Sequence, residues 1–335
     1  MFLAIDEVHN TALLALVHAG VPEEHANTQV RLWIEAERRG HPSHGLLRLP
    51  RIVERIANGV ADPASQGNHQ WKGDAFLSVD GRNGLGPVVA QRALDLISAR
   101  AKTTGVAMAA ISNSNHLGML AIYAEDIARK GQVLIGLTTS EALVHPWGGR
   151  QAMVGTNPVT IGVPADPHPF VLDMATGLIS MGKVHDYANR NQPLEPGWAL
   201  DHAGNPTLDA SAAKSGAIAP FGDSKGYALG LAFEVLVATL TNSALGRDVA
   251  GTLDSTNVCN KGDVFIVAES GLERTAVTRY LDLIRATAPA DPDKPVRVPG
   301  DRAQLSRAAS DETGINIAPE IWEKIRSLAA LSAAD

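Results

Sequence analysis

The chain has 335 residues, 45% hydrophobic and 19% charged, with one cysteine and a formal net charge of −7. That apolar fraction excludes a disordered chain, the acidic balance disfavours polyanion binding as the main task, and the lone Cys259 excludes an intrachain disulfide or a multi-cysteine zinc site. No uncharged apolar run reaches the ~18 residues of a membrane span, and Asp6 and Glu7 stand where a signal peptide would be apolar, so the expectation is a soluble cytoplasmic enzyme.

In chain order, residues 5–40 read as helical. Leu13, Leu14 and Val17, then Val30 and Ile34, recur at helical spacing, and Val21-Pro22-Glu23-Glu24 has the form of a helix start. Gly40 and Pro42 interrupt, and a further helix over 51–58 stops at Asn58-Gly59. A strand at Phe76–Asp80 leads into a glycine-rich turn, 81–86, and a helix near 88–103. Next come a strand at Val106–Ile111 and a helix over Leu117–Lys130. Further strands are predicted at Val133–Thr138, Val159–Val163, Phe170–Met174 and Val264–Ala268, with a long excursion of turns over 189–222. Lys225–Thr241 is an apolar helix whose face (Leu229, Phe233, Leu236, Val237, Leu240) is expected at the centre of the core. Residues 288–302 are irregular and 318–333 helical. The expected organisation is an N-terminal helical segment (1–74), a central α/β body (75–270) and a C-terminal helical segment (271–335).

The motifs narrow the chemistry. Gly84-Leu85-Gly86 lies between a strand and a helix, but Val89 replaces the third glycine of a dinucleotide fingerprint and no acid follows about 20 residues later. A structural turn is the better reading. In His41-Pro42-Ser43-His44-Gly45, Pro42 keeps both imidazoles off one helix face and no further ligands follow, which argues against a metal. His44 joins two helices, Ser43 can fix its tautomer, and Arg48 is spaced to grip a carboxylate. Ser114-Asn115-His116 follows a strand, where it either caps a helix or faces a ligand. Ser224-Lys225 opens the apolar helix, with a phosphate contact and a solvated lysine both open. Gly222-Asp223-Ser224-Lys225-Gly226 matches a hydrolase elbow in letters only, because no histidine follows His202.

Taken in order, Ser43-His44-Gly45-Leu46-Leu47-Arg48-Leu49-Pro50, Ser114-Asn115-His116-Leu117-Gly118, Pro146-Trp147-Gly148-Gly149-Arg150, Gly155-Thr156-Asn157-Pro158, Leu172-Asp173-Met174-Ala175-Thr176, Gly182-Lys183-Val184, Pro196-Gly197-Trp198-Ala199-Leu200-Asp201 and Lys225-Gly226-Tyr227 resemble the type-2 malate/L-lactate dehydrogenase family. That family includes ureidoglycolate and sulfolactate dehydrogenases, diketogulonate reductase, and reductases of pyrroline- and piperideine-2-carboxylate. The resemblance implies a mixed-sheet, non-Rossmann cofactor domain with packed helical termini, a homodimer, and NAD or NADP as cofactor. It implies hydride transfer at the alpha carbon of a 2-hydroxy or 2-oxo acid, or alternatively of a cyclic imino acid. It assigns His44 as the acid/base, Ser43 as its orienting group, His116 to the active-site pocket, and Arg48, Ser140 and Glu141 to the substrate. Cofactor contacts would come from Thr156, Asn157, Pro158, Val171, Leu172, Asp173, Met174, Ala175, Thr176, Lys183, Ser224, Lys225, Gly300, Asp301 and Arg302. Ile52 replaces a tyrosine of some relatives. Met181 stands where the imine reductases carry a histidine, which favours NAD over NADP.

Overall fold

The computed structural model describes residues 1–330. A mixed seven-stranded sheet forms its centre. The strands lie in the spatial order Asn68–Trp71, Phe76–Gly84, Val106–Ser114, Asp263–Glu269, Gln132–Thr138, Val159–Val163 and Phe170–Met174. Only Phe76–Gly84 and Val106–Ser114 pair in parallel; every other pairing in this sheet is antiparallel. Parallel neighbours need a crossover, and a 19-residue helix, Gly86–Thr104, supplies it.

Among the described residues, eleven α-helices surround the sheets: α1 (Ile5–His18), α2 (Glu23–Arg38), α3 (Leu49–Ala57), α4 (Gly86–Thr104), α5 (Leu120–Arg129), α6 (Met181–Asn189), α7 (Ala210–Ala213), α8 (Asp223–Thr241), α9 (Arg274–Arg285), α10 (Asp301–Thr313) and α11 (Pro319–Ala330). Leu94 and Ile97 of α4 and Tyr123 and Ile127 of α5 pack in one cluster with Ala107, Ala109 and Phe265 of the sheet. The alanines of strand Val106–Ser114 let these helices approach closely. Val237, Phe233 and Leu240 of α8 meet Leu137, Val159 and Val264 in a separate cluster.

The two chain ends form a second layer. Val8, Leu16, Trp33 and Leu49 share a core with Ile315, Trp322 and Ile325. Phe2–Leu3 pairs antiparallel with Ile315–Asn316. A small four-stranded sheet, in the order Ala199–Leu200, Ala217–Ile218, Ala142–Val144 and Val154–Gly155, carries α6 and α7.

Three expectations change. The glycine-rich stretch 81–84 continues the strand as a bulge, with Arg82 and Asn83 at φ 49° and 59°. The helix expected from Leu117 begins at Leu120, and neither Ser114 nor Asn115 caps it; Asp173 accepts from Ala121 N at 2.7 Å. The apolar helix α8 is not central: it buries Gly226, Gly230, Glu234, Val237, Ala238 and Thr241, and leaves Leu229 and Leu236 exposed. Glu234 is inside because it accepts from Gly155 N and Asn157 Nδ2. Helix periodicity locates an apolar face without saying whether its own chain covers it. No separate helix was expected at α6, α7, α9 or α10, although 271–335 was expected to be helical as a segment, and the predicted tail helix extends to 331–333, outside the described residues.

Candidate active site

The segment between α2 and α3 consists of two short 3-10 turns, Pro42–His44 and Leu46–Arg48, hinged at Gly45. Glu37 of α2 reaches under this hinge and accepts from Leu46 N at 2.8 Å. A Cβ at position 45 would lie 2.3 Å from Glu37 Oε1, so glycine is needed for the close approach. Burial pushes the Glu37 carboxyl up to about 7, and the Leu46 N–H partly opposes this.

This turn presents three of the expected residues. Ser43 Oγ lies 3.0 Å from His44 Nδ1, which leaves His44 Nε2 as the nitrogen free for a ligand. Arg48 donates from Nε to Ser43 O at 2.9 Å and from Nη1 to Thr252 O at 3.4 Å, leaving Nη2 without an acceptor among the described residues. The His116 ring stands 5.6 Å from that of His44, centroid to centroid. His116 Nδ1 accepts from Gly118 N at 3.0 Å, so the neutral ring carries its proton on Nε2.

Burial, then the nearby Arg48 and His41, hold His44 down to about 4. Burial and the same Arg48 hold His116 well below its ordinary range. Both rings are therefore neutral at pH 7. Arg48 is itself pulled down to about 10, by burial and then by Arg51.

His116 is neither in a helix nor at its cap. Asn115, buried beside it, donates from Nδ2 to Asn83 O and Gly84 O at 2.6 and 3.0 Å and accepts from Arg55 Nε at 2.9 Å. This clamp ties the loop to the strand bulge and to α3. Gly86 closes the same contact: a Cβ there would lie 2.4 Å from Asn115 O and from His116 O. The Gly84-Leu85-Gly86 turn thus supports His116 by close packing.

The other expected residues divide by what they already hold. Glu141 Oε1 accepts from Thr252 N, Thr252 Oγ1 and Leu253 N at 2.8 to 3.0 Å, which fixes the loop behind Arg48. Ser140 Oγ lies 3.1 Å from Thr156 Oγ1. Asn157 is fully buried and bonded to Gly230 O and Glu234. Thr176 bonds Thr156 O, Asp173 caps α5, and Asp301 pairs with Arg285. Val171 lies in the core cluster beside Gly300. By contrast, Lys183, Ser224, Lys225 and Arg302 are exposed. Lys183 lies 4.1 Å above the Trp198 ring. Lys183, Lys225 and Arg302 have no acid partner among the described residues, and Lys225 and Arg302 sit in the first turns of α8 and α10. Unpaired cations beside helix N-termini suit the diphosphate of a dinucleotide. Among the described residues no cluster of three or more His, Cys, Asp or Glu is placed to hold a metal.

The cleft beside His116 is also lined by Gln29, Arg51 and Arg55, none of which the sequence reading singled out. The spacing of Arg48, Arg51 and Arg55 at i, i+3 and i+7 was the signal for two of them.

The malate/L-lactate dehydrogenase family matches residues 3–326. The chain belongs to this family. The malate/(S)-sulfolactate dehydrogenase of Methanothermus fervidus is 32% identical over 98% of this chain and 97% of that one. The ureidoglycolate dehydrogenase (NAD(+)) of Escherichia coli O157:H7 is 28% identical over 98% and 95%. The crystal structure of a dehydrogenase from Sinorhizobium meliloti superposes with a TM-score of 0.95 at 49% identity, covering 98% of both chains. This family member departs from the Rossmann plan, as the absent third glycine at Val89 led us to expect.

Proposed function

We propose that this family member is a nicotinamide-dependent oxidoreductase. It moves a hydride between the cofactor and the alpha carbon of a small 2-hydroxy or 2-oxo acid. The observation that carries the reading is a neutral His44 with Nε2 free, backed by Ser43, beside a guanidinium and a second neutral imidazole.

Arg48 takes the substrate carboxylate, for which a planar fork suits better than an ammonium. His44 Nε2 accepts the hydroxyl proton during oxidation and returns it during reduction. His116 Nε2–H donates to the same oxygen and holds the alpha carbon in line. A bound nicotinamide would supply the two-electron acceptor. Lys183, Ser224, Lys225 and Arg302 are the residues free to contact its phosphates. Thr156, Asn157, Pro158 and the 171–176 strand would form its wall, and Met181 in place of histidine favours NAD.

The apolar residues that α8 leaves uncovered support a homodimer, and the buried, unpaired Cys259 suits a reducing, cytoplasmic compartment. The test is a panel of 2-oxo acids with NADH and NADPH. A reduced-nicotinamide absorbance change is expected with at least one of them. His44→Ala should lower kcat by about 10²- to 10⁴-fold while coenzyme still binds; wild-type turnover in that variant would remove His44 from the chemistry.

A further inference from the structure

The two short turns that carry His44 and Arg48 meet at Gly45 and are held differently. The first, Pro42–His44, continues from α2, with His41 N bonded to Ala36 O and His44 N to His41 O. The second, Leu46–Arg48, has no side-chain cap of its own. Burial of Leu46 and Leu49 fixes where this turn lies, but the Leu46 N–H at its start has no backbone acceptor. Glu37 supplies one from α2, nine residues back in the chain, at 2.8 Å. The same side chain runs against the hinge. A Cβ at position 45 would stand 2.6 Å from Glu37 Cδ and 2.8 Å from Cγ, and Glu37 could swing clear only by releasing Leu46 N.

Glu37 also differs from the other acids of this region. Glu35 is paired with Arg38, Arg39 and Arg307, and Glu125 with Arg39 and Arg129. Glu37 has no cation at ion-pair distance among the described residues, and its carboxyl accepts from Leu46 N alone. Drawing an acid out of water without a cation costs stability. Here it secures a single N–H, at the hinge between the two side chains on which the chemistry depends.

We infer that Glu37 is a positioning residue for the reaction: it caps the turn of Arg48 and sets the angle at Gly45, so that Arg48 and His44 address one substrate together. This rests on the oxidoreductase reading, in which Arg48 takes the carboxylate and His44 exchanges the proton. Glu37 acts through Leu46 N and the hinge and not on the substrate itself. Without it, Arg48 keeps Ser43 O and Thr252 O as acceptors, but its turn is free to rotate about Gly45.

The test measures kcat/KM for a 2-oxo acid that the wild type reduces. Turnover is expressed per coenzyme site from a fluorescence titration with NADH or NADPH, so that a lower yield of folded protein does not move it. Glu37→Ala should lower kcat/KM about 10- to 100-fold, through both the KM of the acid and kcat, with coenzyme affinity within about threefold of wild type. Glu37→Gln keeps the acceptor and should recover to within about threefold of wild type. Gly45→Ala should cost about as much as Glu37→Ala, and the double variant should be no worse than either alone, because both act on one contact. Glu37→Met takes the place of the alanine variant in the single comparison should that variant not fold. Wild-type kcat/KM in Glu37→Ala, a glutamine variant as impaired as the alanine one, additive losses in the double variant, or an equal loss of coenzyme affinity overturns the inference and leaves the oxidoreductase reading standing. Wild-type failure on every 2-oxo acid with either coenzyme overturns both.

Discussion

At the scale of single residues, the site is organised by which nitrogen of each ring is occupied. Ser43 holds His44 Nδ1 and Gly118 N–H holds His116 Nδ1, so both Nε2 atoms are left for a ligand. Burial first, and the charge of Arg48 second, keep both rings neutral in the free enzyme. A substrate carboxylate on Arg48 would cancel one of the charges that depress His44. The protonated form of His44 then becomes easier to reach, and its pKa rises in the complex. In the proposed oxidation, where His44 would have to be neutral to accept a proton, activity is lost as pH falls through that pKa. The acidic limb of kcat/KM, which reports the free enzyme, should therefore lie near 4, and the acidic limb of kcat at higher pH. Full pH profiles of oxidation check this; coincident limbs would mean that Arg48 does not sense the substrate carboxylate. His44 and Arg48 were legible four residues apart in a loop between two helices. Glu37 was not, because its bond to Leu46 N depends on the chain folding back on α2 at Gly45.

At the scale of elements, the loop carrying His116 is shaped by its contacts rather than by its own propensity. Asn115 bonds the strand bulge, Arg55 bonds Asn115, and the first residue of α4 packs against both carbonyls. Gly86→Ala should force α4 and the 115–116 loop apart. The expected loss is about 1–3 kcal/mol in denaturant unfolding, with a fall in kcat as His116 shifts. Unchanged stability and turnover would show that the contact relaxes freely. The same glycine pair tempted a dinucleotide reading, since close packing and phosphate binding both call for a missing side chain. Strand positions were readable from short apolar runs bounded by turns. Helix α10 buries none of its residues, so its periodic signal is faint, whereas α9 carries Val277, Leu281 and Ile284 at helical spacing, an apolar stripe that was present in the sequence and left unassigned.

For the whole molecule, α8 raises the question of assembly. Leu229, Leu231, Val235 and Leu236 are 40%, 38%, 50% and 46% exposed along one apolar helix. A contiguous apolar surface of this kind is ordinarily covered by a partner. The protein should sediment as a dimer, and Val235→Glu with Leu236→Glu should shift it to monomer in analytical ultracentrifugation. A wild-type monomer at micromolar concentration would reject the proposed dimer. The candidate site is itself a whole-molecule property, since α2, α3, the 115–116 loop and the 252 loop each contribute to one cleft.

Sequence alone determined the alternation of strands and helices, the packed helical ends, the family, and the placing of His44 and Arg48 on one loop, because each is written in local spacing or in short motifs whose order survives divergence. Tertiary structure decided the rest: that the 84–86 turn supports a histidine, that Asp173 caps α5, that α8 turns glycine and glutamate inward and leucine outward, and that Glu37 reaches the hinge at Gly45. Each of those depends on which distant backbone atoms arrive within about 3 Å, and local spacing carries no record of that.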